Sequence, residues 1–201
     1  MSKMSGTHLS RSASASGAEA KPVERLQELL PELFSSEAQD GELLLRFQLT
    51  ECINAAFSLE KVVEALRVPA EQVTPIPNMP EATLGLMAMK GKVFWAVDLA
   101  QLLACPKVGP RSRFYEMIVI RIPAISDAGE ELFLGLSVHR IRGTYRLIPG
   151  ALASPGSVPG SVVAEASLLM PYLRGQVQDP QETWQVLSLE TILSLQGLIT
   201  G

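Results

Sequence analysis

An internal repeat restricts the possible folds of this chain more than any other feature of its sequence. Gly85 stands thirteen residues before the central Asp of Val-Asp-Leu at 97–99, and Gly175 stands thirteen residues before the central Ser of Leu-Ser-Leu at 187–189. Recurrence at a fixed interval is typical of a fold assembled from similar units. The chain is therefore expected to contain two related substructures.

The repeat extends upstream, where residues 58–64 correspond to residues 135–141. Each segment is an aliphatic run that leads into an apolar-rich turn before a proline-containing loop. In the second copy this loop, 149–160, is longer and holds three prolines and three glycines, so it should be exposed. Two β units of this size gain stability by burying a common aliphatic face. We therefore expect a mostly β fold in which two small β-barrels share a hydrophobic core.

Short apolar runs bounded by turn-forming residues indicate where the strands lie. They are Leu43–Leu49, Val93–Leu99, Met117–Ile122, Leu132–Val138 and Val186–Leu189. Residues 116–122 and 131–138 flank Ser-Asp-Ala-Gly-Glu at 126–130, which predicts a β-hairpin because Asp and Gly suit a turn with positive φ. Apolar positions three and four residues apart predict short helices at Leu59–Leu66 and Val163–Met170.

The N-terminal forty residues differ in composition from the rest. Residues 1–20 are rich in Ser, Ala and Gly and are expected to be a disordered tail. Residues 21–40 are interpreted as an N-terminal helix and linker, with Pro22 in its first turn and Pro31 limiting it. This helix would either cover an edge of the main domain or bind a partner. The main domain is assigned to 41–201.

Composition excludes several classes of function. The chain is 47% hydrophobic with a formal charge of −4, so it has no basic excess for binding nucleic acid. Cys52 and Cys105 are too few for a disulfide framework, which favours two small buried thiols in a cytoplasmic protein over a single disulfide. No run of about 18 apolar residues occurs, so membrane association is expected only through a partner, without direct insertion.

Residues suited to catalysis are scarce. The two histidines are His8, in the predicted tail, and His139, in an apolar run, which leaves little material for a metal site or a catalytic triad. Asp98 at a strand end is expected to cap a turn. The glycine-rich segments lack the spacing of a phosphate-binding loop. We therefore predict neither enzymatic activity nor a cofactor, and interpret Trp95 and Trp184 as core residues.

Four segments in the first half of the chain share their order and spacing with a known family. They are Val-Val-Glu-Ala-Leu at 62–66, Ile-Pro-Asn-Met-Pro at 76–80, Leu-Gly-Leu-Met-Ala-Met-Lys-Gly at 84–91 and Val-Phe-Trp-Ala-Val-Asp-Leu at 93–99. Together they resemble the signature of the CheW family of signalling adaptors. The resemblance continues more faintly through the hairpin and the repeat, and covers residues 42–196.

The resemblance implies two SH3-like five-stranded barrel subdomains that share a core, with no catalysis. It further implies an adaptor that binds the regulatory domain of a CheA-like histidine kinase and, in a groove between the subdomains, the cytoplasmic tip of a chemoreceptor, at membrane-associated receptor arrays. The receptor-binding positions carried over from the family are Val62, Glu64, Gly85 and Lys90. Asn78, Met79, Met87 and Met89 are a possible partner surface, because methionine adapts to varied shapes, although buried methionine is the alternative.

The sequence departs from the family at several of these positions. Lys90 stands where the family usually has Arg, Ala88 where it has Asn and His139 where Asp is common, and Ser188 replaces an acid. A lysine offers one mobile point charge, so a Glu64–Lys90 pair should orient the groove less rigidly than a bidentate arginine. A stand-alone small β-barrel that binds a ligand or peptide remains the alternative function. The ordered string of motifs favours the adaptor.

Overall fold

The computed structural model describes residues 41–106, 113–122, 131–156, 164–180 and 182–195, all within the compact unit Asp40–Gly201. The strands are β1 (Glu42–Gln48), β2 (Asn54–Ser58), β3 (Val62–Pro69), β4 (Val73–Thr74), β5 (Thr83–Met89), β6 (Lys92–Asp98), β7 (Phe114–Ile122), β8 (Leu132–Val138), β9 (Arg140–Leu147), β10 (Leu173–Gln178) and β11 (Thr183–Leu187). Two short α-helices, α1 (Leu99–Leu102) and α2 (Leu189–Leu195), follow β6 and β11, and 3-10 helices span Leu59–Lys61, Ala70–Gln72 and Ala164–Tyr172.

The strands form two mixed sheets. The first has the order β10-β11-β2-β1-β9, and the second has the order β3-β7-β8-β6-β5-β4. Neighbouring strands are antiparallel except for β11 with β2 in the first sheet and β6 with β8 in the second. The chain passes from the first sheet to the second through Leu59–Lys61. It returns at His139, whose backbone N–H donates to the Gln48 carbonyl oxygen at 3.0 Å.

The sequence repeat and the sheets divide the chain differently. The first copy of the repeat supplies β1 and β2 to the first sheet but β3, β4, β5 and β6 to the second. The second copy supplies β7 and β8 to the second sheet and β9, β10 and β11 to the first. The first sheet therefore combines two strands of the first copy with three of the second, and the second sheet combines four with two, so the two substructures are interleaved.

The repeated residues occupy equivalent places in the two sheets. Gly85 lies at a register shift in the β5–β6 hairpin, and Gly175 lies at a register shift in the β10–β11 hairpin. The Asp98 side chain accepts a hydrogen bond from the Gln101 backbone N–H at 3.2 Å and so caps α1. Ser188 Oγ accepts one from the Thr191 backbone N–H at 3.2 Å at the start of α2. The repeat therefore encodes a bulged hairpin followed by a capped helix.

The buried apolar side chains form one shared cluster and one cluster for each sheet. The shared cluster takes Phe47 and Phe57 from the first sheet and Ile118, Ile120 and Leu136 from the second. The second cluster belongs to the second sheet and includes Val68, Val73, Met87, Phe94, Ala96, Met117 and Val119. The third belongs to the first sheet and includes Leu44, Ala56, Leu147, Val177, Trp184 and Val186. The prediction of a common core between two β substructures is therefore confirmed.

The second sheet curls around its own cluster. Its edge strands β3 and β4 are joined by the three-residue helix Ala70–Gln72, and both place a valine, Val68 and Val73, in the second cluster. A sheet whose opposite edges pack on the same side chains must be strongly bent. Because β3 and β4 occupy opposite ends of the hydrogen-bonded order, their contact with one cluster requires the sheet to curl.

Several local predictions are decided by the structure. The hairpin is confirmed, since β7 and β8 pair antiparallel from Glu116↔Val138 to Ile122↔Leu132. The helix predicted at Leu59–Leu66 is wrong beyond Lys61, because β3 begins at Val62. A 3-10 helix, Ala164–Tyr172, lies where the second short helix was predicted. The predicted tail, the N-terminal helix and the turn at 126–130 lie outside the described residues.

Candidate functional site

Glu64 and Lys90 form an ion pair at the surface of the second sheet. Lys90 Nζ donates to Glu64 Oε2 at 2.7 Å, and the two side chains are 74% and 30% exposed, respectively. Lys90 lies in the two-residue turn between β5 and β6, where Lys90 has φ +51° and Gly91 has φ +77°. Two positive φ angles are typical of the tight hairpin turn that follows strand twist. The turn thus holds the lysine at the tip of the hairpin.

A bulge in β3 directs Glu64 toward this hairpin. Val62 pairs with Ile120 and Glu64 pairs with Val119, so Val63 is an extra residue, and it is 45% exposed. Because one extra residue reverses the alternation of side chains, Val62 packs against the shared cluster while Glu64 points to the opposite face of the sheet. Strand β3 is an edge strand and β5 lies near the opposite edge. The Glu64–Lys90 pair therefore bridges the curled sheet.

Gly85 does not join this pair. It is buried, and a Cβ atom placed on it would lie 2.1 Å from the Thr74 carbonyl oxygen, with the backbone at φ +143°. Its lack of a side chain lets β4 approach β5. Lys90 follows Gly85 by five residues, just beyond the end of β5, a separation of about 16 Å in an extended strand. The structure therefore brings together Glu64 and Lys90, leaves Val62 on the opposite face of β3, and places Gly85 in the packing of the sheet.

The proposed methionine surface is only partly at the surface. Met79 is 39% exposed and follows Asn78, an exposed residue with φ +60°, in the loop between β4 and β5. Met89 is half-buried against the second cluster. Met87 is 2% exposed and belongs to that cluster, so its place in a partner surface is corrected to a place in the core. Met87 pairs across the hairpin with Phe94, which belongs to the same cluster. Side chains directly opposite each other in a sheet share a face, so both point inward.

An exposed apolar patch on the second sheet was missed at the level of sequence. It consists of Val93, Trp95 and Leu132, which are 68%, 39% and 42% exposed. Trp95 pairs with Leu134, and Val93 and Leu132 precede them by two residues on the same face, which continues from the shared cluster. The prediction that Trp95 is a core residue is therefore wrong, whereas Trp184 is 4% exposed and is in the core. The alternation of side chains along β6 indicates which residues share a face of the sheet. It does not indicate how far the opposing sheet extends over that face, which decides whether Trp95 is buried.

A chain of alternating charges lies where the chain crosses between the sheets. Lys61, next to Val62, donates to Glu190, and Arg174 donates two hydrogen bonds to Glu42 at 2.6 and 2.5 Å. The hydrogen bond from Arg174 holds the pKa of Glu42 below its ordinary value, and that from Lys61 lowers the pKa of Glu190. These pairs fasten β1, β10 and α2 around the crossover.

Arg46 occupies the open end of the third cluster. Its guanidinium carbon lies 4.7 Å from the centre of the Trp184 ring and 5.1 Å from that of Tyr145, and it pairs with Asp179 at 3.3 Å. The cavity that these residues line has a volume of about 10 Å³, which is room for one water molecule. Arg46 therefore plugs this end of the sheet, and the cavity is too small for an organic ligand.

The described residues contain no group of three or more His, Cys, Asp or Glu side chains arranged to hold a metal ion. Within the same part of the chain, no helix has the length and apolar character needed to cross a membrane. The cysteines are both free, with Cys52 exposed and Cys105 buried. The expectation of two buried thiols is therefore correct for Cys105 and wrong for Cys52.

Comparison with known proteins gives one family and one fold. A family model described as a CheW-like domain matches residues 44–197. The solved structure of the scaffolding protein TtCheW from Thermoanaerobacter tengcongensis is similar, with a TM-score of 0.57 and 18% sequence identity, over 77% of this chain and 93% of that chain. No curated protein matches the chain. At this identity the solved structure supports the fold, and the family model, which spans most of the sequence, shows that the chain belongs to the CheW family.

Proposed function

We propose that this chain is a non-enzymatic adaptor that couples methyl-accepting chemoreceptors to a CheA-like histidine kinase in a taxis or motility pathway. The observation that carries the proposal is the CheW-like domain across residues 44–197, folded as two interleaved sheets. The similar solved structure is that of a scaffolding protein. Such an adaptor would act in the cytoplasm, at receptor arrays on the membrane, and would need no cofactor.

The receptor side of the proposal centres on Val62, Glu64 and Lys90. Val62 is half-buried beside the crossover, and the Glu64–Lys90 pair lies on the opposite face of the same strand with one exposed cation. An exposed ion pair contributes at most about 1 kcal/mol to stability, so its effect on folding is small. Its charges are instead available to orient the apolar helical tip of a receptor. In this mechanism the adaptor transmits receptor state by position and not by reaction.

The kinase side is assigned to the patch of Val93, Trp95 and Leu132. Contiguous exposed apolar side chains that include a tryptophan are typical of protein contact surfaces. The regulatory domain of a CheA-like kinase is itself CheW-like, so its sheets would pack against this face as the two sheets here pack against each other. Each contact is expected to be modest, with tightness arising from multivalent assembly.

The receptor contact is tested by charge reversal. Lys90→Glu removes the ion pair with Glu64, and Lys92→Glu removes a similar pair with Glu131 two residues along the same hairpin. We expect Lys90→Glu to weaken binding of a receptor cytoplasmic fragment by about tenfold, with Lys92→Glu close to wild type, as measured by calorimetry. Equal effects of the two variants would exclude a specific role for Lys90.

The kinase contact is tested by binding of the isolated regulatory domain of the cognate kinase. Association is expected at tens of micromolar or tighter, and Trp95→Ala should weaken it by about tenfold or more. Phe114→Ala is a matched control, because Phe114 is an aromatic residue of the same sheet with 41% exposure. Lack of association would contradict the adaptor function. It would favour a stand-alone peptide-binding module.

A further inference from the structure

A cluster of basic residues lies on the first sheet, in contrast to the receptor and kinase residues assigned to the second. His139 precedes β9, and Arg140 and Arg142 are the first and third residues of that strand. All three side chains are exposed. Strand β9 is an edge of the first sheet and pairs there with β1. The cluster can therefore be reached from the edge of the sheet.

The two arginines are not neutralised within the described residues. Most other lysines and arginines of this part of the chain have a carboxylate partner: Arg46, Lys61, Arg67, Lys90, Lys92, Arg121 and Arg174. Neither Arg140 nor Arg142 forms an ion pair with a described residue. The edge strand β3 of the second sheet contrasts with β9, since its Glu64 and Arg67 are both paired.

The surrounding sequence maintains this local positive charge. Between Glu131 and Glu165 the chain has no Asp or Glu, although its overall formal charge is −4. The backbone also exposes Arg142, because Arg46 pairs with Gly143 and Phe47 pairs with Ile141. Arg142 is thus the extra residue of a β-bulge and has no residue of β1 opposite it. Bulges redirect side chains at sheet edges in this way.

We infer that the cationic edge of β9, formed by Arg140 and Arg142, binds an acidic peptide segment of a partner protein. A guanidinium donates two parallel hydrogen bonds to a carboxylate, which gives the contact direction as well as charge. A second copy of this chain is a poor occupant, since pairing of β9 with itself would bring arginines together. Nucleic acid is disfavoured by the net charge and by the 5% aromatic content. This surface does not depend on the proposed function.

The test uses the whole chain and a fluorescein-labelled peptide of alternating Glu and Ser at low salt, followed by fluorescence anisotropy. We expect the peptide to bind, and Arg140→Glu and Arg142→Glu, each made as a single substitution, to weaken binding by about fivefold or more. Arg113→Glu is the matched control, since Arg113 is exposed and also forms no ion pair with a described residue. The affinity of the Arg113→Glu variant for the peptide should stay within about twofold of wild type, a margin that allows for the change in net charge. Unchanged thermal unfolding of the variants shows that the fold is intact.

Three results would overturn the inference. The first is no binding of the Glu peptide at up to about millimolar concentration, the range of weak charge-driven contacts. The second is an equal loss in Arg113→Glu, which would show a response to net charge alone. The third is oligo-dT binding as tightly as the Glu peptide and displacing it, which would indicate a general polyanion surface. A Lys and Ser peptide of equal length should not bind.

Discussion

The guanidinium of Arg174 holds the carboxylate of Glu42 through two hydrogen bonds, although their strands β10 and β1 are not neighbours in the first sheet. The pair therefore spans the intervening strands β11 and β2 and ties one edge strand of the sheet to the strand beside its opposite edge. Ser58 adds a further hydrogen bond to Glu42, and Arg174 also attracts Glu190.

This pair makes stability depend on acid pH. Because the pKa of Glu42 is lowered from 4.5 in the fold, mainly by Arg174, its contribution is full above that value and is lost as pH falls through the folded pKa. Glu42→Gln should reduce the free energy of unfolding at pH 7 by about 0.5 kcal/mol, discounted for exposure of both side chains. It should also flatten the decline below about pH 4.5, the unfolded value. Urea unfolding across pH measures both effects, and an equal change in exposed Glu51→Gln would contradict the assignment.

The two caps should be energetically similar. Asp98→Ala and Ser188→Ala each leave a helical N–H without its side-chain acceptor, and each should lower the free energy of unfolding by about 1 kcal/mol. Asp98→Asn and Ser188→Thr keep an acceptor oxygen and should retain most of the stability. Denaturant unfolding of the four variants is the measurement. If Ser188→Ala were neutral while Asp98→Ala was costly, the second copy of the repeat would not share the capping role.

Gly85 should be a structural position and not a contact. In Gly85→Ala the new Cβ would meet the backbone of Thr74, which cannot move without shifting β4, so we expect a loss of about 3 kcal/mol or more. Gly91→Ala has an open site and only the cost of a left-handed backbone, about 1 kcal/mol. Thermal unfolding distinguishes them. Comparable losses in the two variants would show that β4 adapts to a larger residue.

The methionines should differ in the same assay. Met87→Ala removes a side chain from the second cluster and should cost about 2–5 kcal/mol. Met79→Ala, in the exposed loop, should change the free energy of unfolding by less than about 0.5 kcal/mol. A large loss for Met79→Ala would place that side chain in the core and remove it from the candidate surface.

The repeat and the strand runs were readable from the sequence because they depend on local chemistry. Gly85, Asp98 and their counterparts mark a bulge and a cap, and each is determined by residues within a short distance along the chain. The β7–β8 hairpin was readable for the same reason. The family resemblance then identified Glu64 and Lys90, which the structure places 2.7 Å apart.

The wrongly predicted helix at Leu59–Leu66 shows why other parts of the fold could not be predicted from the sequence. Val62 and Leu66 are four residues apart, which matches a helix, but here Val63 is the extra residue of a bulge that breaks the two-residue alternation of β3. A bulge is specified by the partner strand, which a single segment does not reveal. Trp95 is a similar case, because its exposure depends on where the opposing sheet ends.

The way the repeat divides between the sheets sets an order for folding. Residues 62–138 contain every strand of the second sheet, whereas the first sheet must join residues about a hundred positions apart, such as Leu44 and Tyr145. Closing the longer loop costs more chain entropy and slows the pairing. The central segment is therefore expected to collapse first, and the two ends of the domain to close around it last.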